Sequence, residues 1–180
     1  MQILRQRNGS PVKRNGKEIY VSETTGVVKA VDKDQRKLVL IGTTEDKDRD
    51  GDIILIPGWK IENYLKNPVF LWAHDYHSVP LARVEKLIRR RNPNRYEFHI
   101  KFPTRELYPF ADMILDLYGE RIINASSVGF IPIEWEDMEE EKRGEFMGRG
   151  RRYISQELLE LSGCAVPSRG ISTKSGPSGT

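Results

Sequence analysis

The chain has 180 residues, 38% hydrophobic and 31% charged, with 29 Lys and Arg against 26 Asp and Glu for a net charge of +3. That length supports one domain with a real core, burying roughly 70% of the unfolded surface, and the small, interspersed charge demands no nucleic-acid partner. The one cysteine, Cys164, excludes an internal disulfide and suits a reducing cytosol, no apolar run is long enough to span a bilayer, and with a polar start after Met1 no secretion signal is expected.

Residues 1–20 are basic and polar, with Arg5, Arg7, Lys13, Arg14 and Lys17 against Glu18, and predict a flexible arm. The domain is expected over 21–167. Gly26–Val31 and Lys37–Thr43 flank the polar turn 32–36 and predict a hairpin. Asp46-Lys47-Asp48-Arg49-Asp50-Gly51-Asp52 has the front of a calcium loop, but its twelfth position is Pro57 instead of a bidentate glutamate. An acidic turn with Gly51 at positive φ, leading into a strand Ile53–Ile56, is the simpler expectation. A helix is expected from about Trp59 to Lys66, stopped by Asn67-Pro68.

Val69–Ala73 is a continuous apolar run that predicts a buried strand ending at His74. Leu81–Arg90 and Arg95–Phe102 flank Asn92-Pro93-Asn94 as a second hairpin. In its second arm Tyr96, Phe98, Ile100 and Phe102 are expected in the core, with Arg95, Glu97, His99 and Lys101 on the wet face. A helix over Pro109–Tyr118 has proline in its first turn and Gly119 at its stop, and its stripe of Phe110, Met113, Ile114 and Leu117 is read as core. Val128–Trp135 and Tyr153–Val166 are the last strands, separated by a charged excursion, 136–152, expected to be solvated. Residues 168–180 are Gly, Ser, Thr and Pro with little apolar content and predict a flexible tail. The pattern is mainly β (α+β), a barrel or folded sheet with helices outside.

Three segments carry chemistry. His74 closes an apolar strand, where an imidazole can accept a proton at a pocket mouth. With Asp75 and His77 it also has the start of a metal site, although His77 lies in a polar loop and no further ligand motif of zinc-type spacing follows. Ser126-Ser127-Val128-Gly129-Phe130 puts two hydroxyls at a strand start. In extended geometry they face opposite ways, so only one can meet His74, and Gly129 could admit a substrate backbone or turn an amide toward an oxyanion. Glu157 and Glu160, three apart and so facing opposite ways in a strand, interrupt the apolar Leu158, Leu159 and Leu161, and a buried carboxylate there needs a partner such as histidine. Read singly, the segments are a hydrogen-bonded core histidine, a strand entrance and a pair of edge or rim carboxylates. Cys164 is read as a small buried residue.

Taken together, Asp48-Arg49-Asp50-Gly51-Asp52-Ile53, Asn67–Asp75, Pro80–Val84, Ser127-Val128-Gly129-Phe130 and Glu157–Ser162 closing on Val166-Pro167 resemble the prohead (procapsid) maturation proteases of tailed bacteriophages. The fold of that family is similar to that of herpesvirus assemblin. The resemblance covers about residues 26–167. It implies an assemblin-like closed or nearly closed β-barrel flanked by helices. His74 then takes the place of the catalytic histidine, Ser127 that of the nucleophile and Glu160 that of the acidic third member, with Glu157 in reserve. Backbone amides near Gly129, or a water held by Arg83, are the expected oxyanion stabilisers. One departure is Ala82, where the family tends to have glycine before the arginine.

The resemblance also implies a serine endopeptidase that needs no metal or other cofactor. It would cleave the major capsid protein or a scaffold segment, and itself, inside the procapsid in the host cytoplasm. Self-association is expected, with no specific nucleic acid and no membrane. Two other expectations compete: an inactive capsid- or scaffold-binding module, and a metal-dependent hydrolase using His74, Asp75 and His77.

Overall fold

The computed structural model describes residues 12–14, 17–22, 27–48, 51–138, 141–143, 146–148 and 150–165. The expected tail, 168–180, lies outside them. In chain order the strands are β1 (Val12–Arg14), β2 (Lys17–Ser22), β3 (Val27–Asp32), β4 (Lys37–Thr44), β5 (Ile53–Ile54), β6 (Trp59–Lys60), β7 (Val69–Trp72), β8 (Ala82–Arg91), β9 (Asn94–Lys101), β10 (Ala125–Asp137), β11 (Glu141–Arg143), β12 (Phe146–Gly148) and β13 (Arg151–Cys164). The helices are α1 (Glu62–Lys66) and α2 (Pro109–Gly119). Both hairpins form where the alternation puts them, β3 with β4 and β8 with β9. Within the segment expected to be an arm, β1 and β2 pair with each other, and β2 joins β10.

The barrel expectation is corrected. Among the described residues one mainly antiparallel sheet runs β1-β2-β10-β13-β7-β8-β9-β4-β3 and does not close, while β5 and β6 add to β13. Closure needs the two outer strands to share a ladder. At β3 the outward Val28 carbonyl instead accepts a 3.0 Å hydrogen bond from the Arg121 guanidinium. Arg121 follows α2, so a side chain caps the edge that another strand would have covered.

Four local expectations also change. Trp59-Lys60 does not start a helix: it runs parallel to Gln156-Glu157 of β13, and only the five residues of α1 are helical. The buried stripe of α2 is Ala111, Ile114, Leu115 and Tyr118, an i, i+3, i+4, i+7 set. Phe110 and Met113 are 39% and 48% exposed, one position round from that stripe, so they are not core. The excursion 136–152 partly continues the sheet, with Glu136 opposite Arg152 and Asp137 opposite Arg151, and β11 pairs with β12. The acidic turn forms as expected: Gly51 has φ 88°, and the Asp48 carboxylate accepts from the Asp52 amide at 2.8 Å.

The fourth change is Glu97. It alternates with core residues yet is fully enclosed. Lys29, Arg90 and Arg95 reach it from β3, β8 and β9 at 2.9, 3.0 and 2.8 Å. Burial by itself would raise this carboxyl, but the hydrogen bonds from Lys29, Arg95 and Arg90 outweigh it and hold it at about 2. A depressed folded-state value means the cluster stabilises the fold above the ordinary carboxylate range and loses that contribution as pH falls. The thermal midpoint should therefore drop on acidification between about 4.5 and about 2. In Glu97→Gln the midpoint starts lower at neutral pH and this acid limb flattens. An unchanged limb in a melting series would assign it to other carboxylates.

The core joins residues of the sheet to residues of both helices. Phe130 meets Trp59 and Tyr153 edge-on at 5.7 and 5.0 Å, and Phe70 meets Phe102 at 6.0 Å. These rings support β7, β10 and β13, the strands that carry the three chemical segments.

Candidate active site

The organising strand is β13. It pairs antiparallel with β10 on one side and parallel with β7 on the other. Ser127 stands opposite Ser162, Gly129 opposite Glu160, and Trp72, two residues before His74, opposite Gly163. Segments distant along the chain therefore meet on adjacent strands.

His74 does not extend β7. The chain turns at Ala73 (φ 51°) and His74 (φ 57°), closed by the Asp75 amide donating to the Trp72 carbonyl at 2.9 Å. Two successive non-glycine residues in the left-handed region cost roughly 1–2 kcal/mol each. Such strain persists only where surroundings over-determine it. Here the Ala73 amide donates to the Gly163 carbonyl at 2.8 Å and the His74 amide to the Ser162 hydroxyl at 3.1 Å, so β13 holds the turn at two points.

The ring of His74 lies against Glu160, with Nδ1 at 2.5 Å from Oε1. A carboxylate only accepts, so Nδ1 carries the proton, and in the neutral ring the lone pair is then on the buried Nε2. The other carboxylate oxygen, Oε2, accepts from the Ser162 hydroxyl at 2.6 Å. Glu160 is 1% exposed, and both its oxygens are engaged. Its charge, together with burial as the larger cause, raises the Tyr64 phenol.

Gly129 serves this carboxylate by having no side chain. A Cβ there would fall 2.5 Å from Glu160 Oε1 and 3.0 Å from the Tyr76 hydroxyl. It is also an interior position of the sheet, opposite Val21 of β2 and Glu160 of β13. The missing side chain at Gly129 thus leaves clearance for Glu160.

Strand geometry separates the two serines. Ser127 and Gly129 share a face with Ser162 and Glu160, since directly opposed residues project to the same side. Ser126 projects to the other side, opposite Gly163, and its hydroxyl is buried without a partner among the described residues. Ser127 itself is fully buried.

The register also separates the two glutamates. A bulge at Leu159 lets Phe130 pair with Leu158 and Ile131 with Glu157. Glu157 and Glu160 therefore lie on the same face, where a regular strand would have split them. Distance along the strand keeps them apart, and Glu157 accepts from the Asn63 side chain of α1 at 2.8 Å.

Other candidates lie elsewhere. Arg83 is an exposed residue of β8 opposite Val69, with β7 and β13 between it and the strand of Ser127. Asp75 accepts from the His77 amide at 2.9 Å and from the Ser78 hydroxyl at 2.5 Å, and these bonds, the Ser78 side chain first, lower its carboxyl. Among the described residues no group of His, Cys, Asp or Glu side chains gathers at metal-ligand spacing, so His74, Asp75 and His77 do not form the donor set of a metal-dependent site. Cys164 is buried.

Sequence reasoning missed Ser162 and Tyr76. Ser162 had a signal: it is two residues from Glu160 in a strand, hence on its face. Tyr76 had none, because only the turn at Ala73-His74 brings its loop over Gly129.

The arrangement brings a histidine ring, a buried carboxylate and the face of a strand that carries a serine to one place. The chain is similar to the prohead protease of Escherichia phage T5, 29% identical over 120 residues, with 61% of this chain and 54% of that protein covered. The chain spans about half the length of this curated relative. No protein-family profile matches the chain, and no solved structure matches it.

Proposed function

We propose that this protein is a serine endopeptidase of bacteriophage prohead maturation, with Ser127 as nucleophile, His74 as base and Glu160 as the group that orients the base. The observation that carries the reading is the 2.5 Å contact between His74 Nδ1 and Glu160 Oε1 on the face that Ser127 shares. The likeness to the T5 prohead protease supports the biological setting.

In the reaction, Ser127 Oγ attacks the peptide carbonyl while His74 Nε2 takes the hydroxyl proton. The tetrahedral adduct collapses, the C–N bond breaks, and the imidazolium gives its proton to the departing amine. Water, deprotonated by the same nitrogen, then hydrolyses the acyl ester. Glu160 keeps the proton on Nδ1 and offsets the positive charge that the ring acquires. Acid–base help of this kind supplies about 10²–10⁴ in rate. The substrates in this reading are segments of the major capsid protein or its scaffold, and the chain itself, inside the procapsid.

Because Ser127 is fully buried, a peptide must displace what covers it. A small sulfonyl fluoride is therefore the right first probe. It should label Ser127, read by peptide mass spectrometry, and His74→Ala should remain unlabelled. Cleavage-competent protein without any label on Ser127 would remove the assignment, and protein with neither cleavage nor label would favour an inactive binding module.

A further inference from the structure

We propose that Ser162 is a positioning residue of this site: its hydroxyl ties the Glu160 carboxylate to the backbone of His74 and so holds the base in its working orientation. The inference rests on the serine-endopeptidase reading above and deepens it.

Ser162 is fully enclosed, and its hydroxyl is used in both directions. It donates to Glu160 Oε2 at 2.6 Å and accepts from the His74 amide at 3.1 Å. The two bonds constrain different things. The first sets the rotation of the carboxylate, since Oε1 must then face Nδ1 of His74. The second holds the backbone of a residue at φ 57°, a conformation that a non-glycine side chain leaves unless tethered. One oxygen therefore fixes both ends of the imidazole–carboxylate contact. Ser162 is also the residue directly opposite Ser127, at a cross-strand Cβ separation of about 4.5–5.5 Å. The tether and the nucleophile thus move with the same rung of the sheet.

Removing the hydroxyl leaves Glu160 Oε2 and the His74 amide without these partners in a buried place. A carboxylate relieved of one donor is a stronger acceptor toward the imidazole and favours its protonated form. The base would then be both less well aligned and protonated at higher pH.

The test measures the rate of Ser127 labelling by a small sulfonyl fluoride against pH, in the full chain. Ser162→Ala should label at least tenfold more slowly, with the acid limb of the profile moved to higher pH. Ser162→Cys, close in volume but a weak donor, should shift the same way and covers the case in which the alanine variant does not fold. Ser162→Thr, which keeps the hydroxyl, should restore most of the rate and the original limb. A folded alanine or cysteine variant with wild-type rate and an unmoved limb would overturn the inference, as would a slower rate with an unmoved limb, which is the signature of a merely structural role. Ser127→Ala, measured in parallel for cleavage of a co-expressed capsid protein, separates the two levels. Cleavage by that variant would defeat the endopeptidase reading itself, whereas its inactivity beside wild-type behaviour at position 162 would defeat only the positioning role.

Discussion

Ser127→Ala should abolish cleavage of a co-expressed capsid or scaffold protein while leaving the fold intact. Loss of the nucleophile in a serine protease costs on the order of 10⁶ in turnover, because the three groups act as a unit. The fold should survive because the change removes one oxygen from a strand position whose backbone ladder is untouched, at a cost of about 1 kcal/mol. Ser126→Ala is the matched control. That hydroxyl is on the other face of β10, buried without a partner among the described residues, so its removal should leave cleavage unchanged and stability equal or slightly higher. Gel or mass analysis of the co-expressed substrate, with thermal unfolding of each variant, reads both. Undiminished cleavage by Ser127→Ala would end the serine mechanism.

Glu160→Gln should lower the labelling rate of Ser127 by about 10⁴, the scale seen when the carboxylate behind a catalytic histidine becomes an amide. The reason is an acceptor count. Two donors, His74 Nδ1–H and the Ser162 hydroxyl, converge on Glu160, one on each oxygen. Glutamine has one carbonyl oxygen and an amino group. Whichever way it turns, its NH₂ faces one of those donors, and facing His74 it drives the proton to Nε2 and destroys the base. Glu157→Gln should stay within a few-fold of wild type, since that carboxylate holds Asn63 on α1. If position 157 proves the sensitive one, the third member of the site has been misassigned.

Much of this architecture is written locally. Alternation around residues 32–36 and 92–94 marks both hairpins, and Pro109 and Gly119 bracket α2. The strand character of the three chemical segments is equally local, because it depends on runs of four to eight neighbouring side chains. Local pattern and structure part where a distant group decides the outcome. Glu97 reads as wet beside Arg95 and His99, yet cations from three strands enclose it. Trp59 reads as the start of a helix until β13 offers it a ladder. The two glutamates read as facing apart until the Leu159 bulge resets the phase of the strand.

The amino-acid sequence by itself determined a mainly β chain with two helices and the residue types of a hydrolytic site, since propensity, periodicity and side-chain chemistry act over a few neighbouring positions. The tertiary structure decided that the sheet stays open at the Arg121-capped edge, that Glu160 and not Glu157 meets the imidazole, and that Ser127 and not Ser126 shares their face. Those outcomes depend on strand order and register between segments distant along the chain. Register in turn is set by the summed burial of whole strand faces, which no single segment encodes.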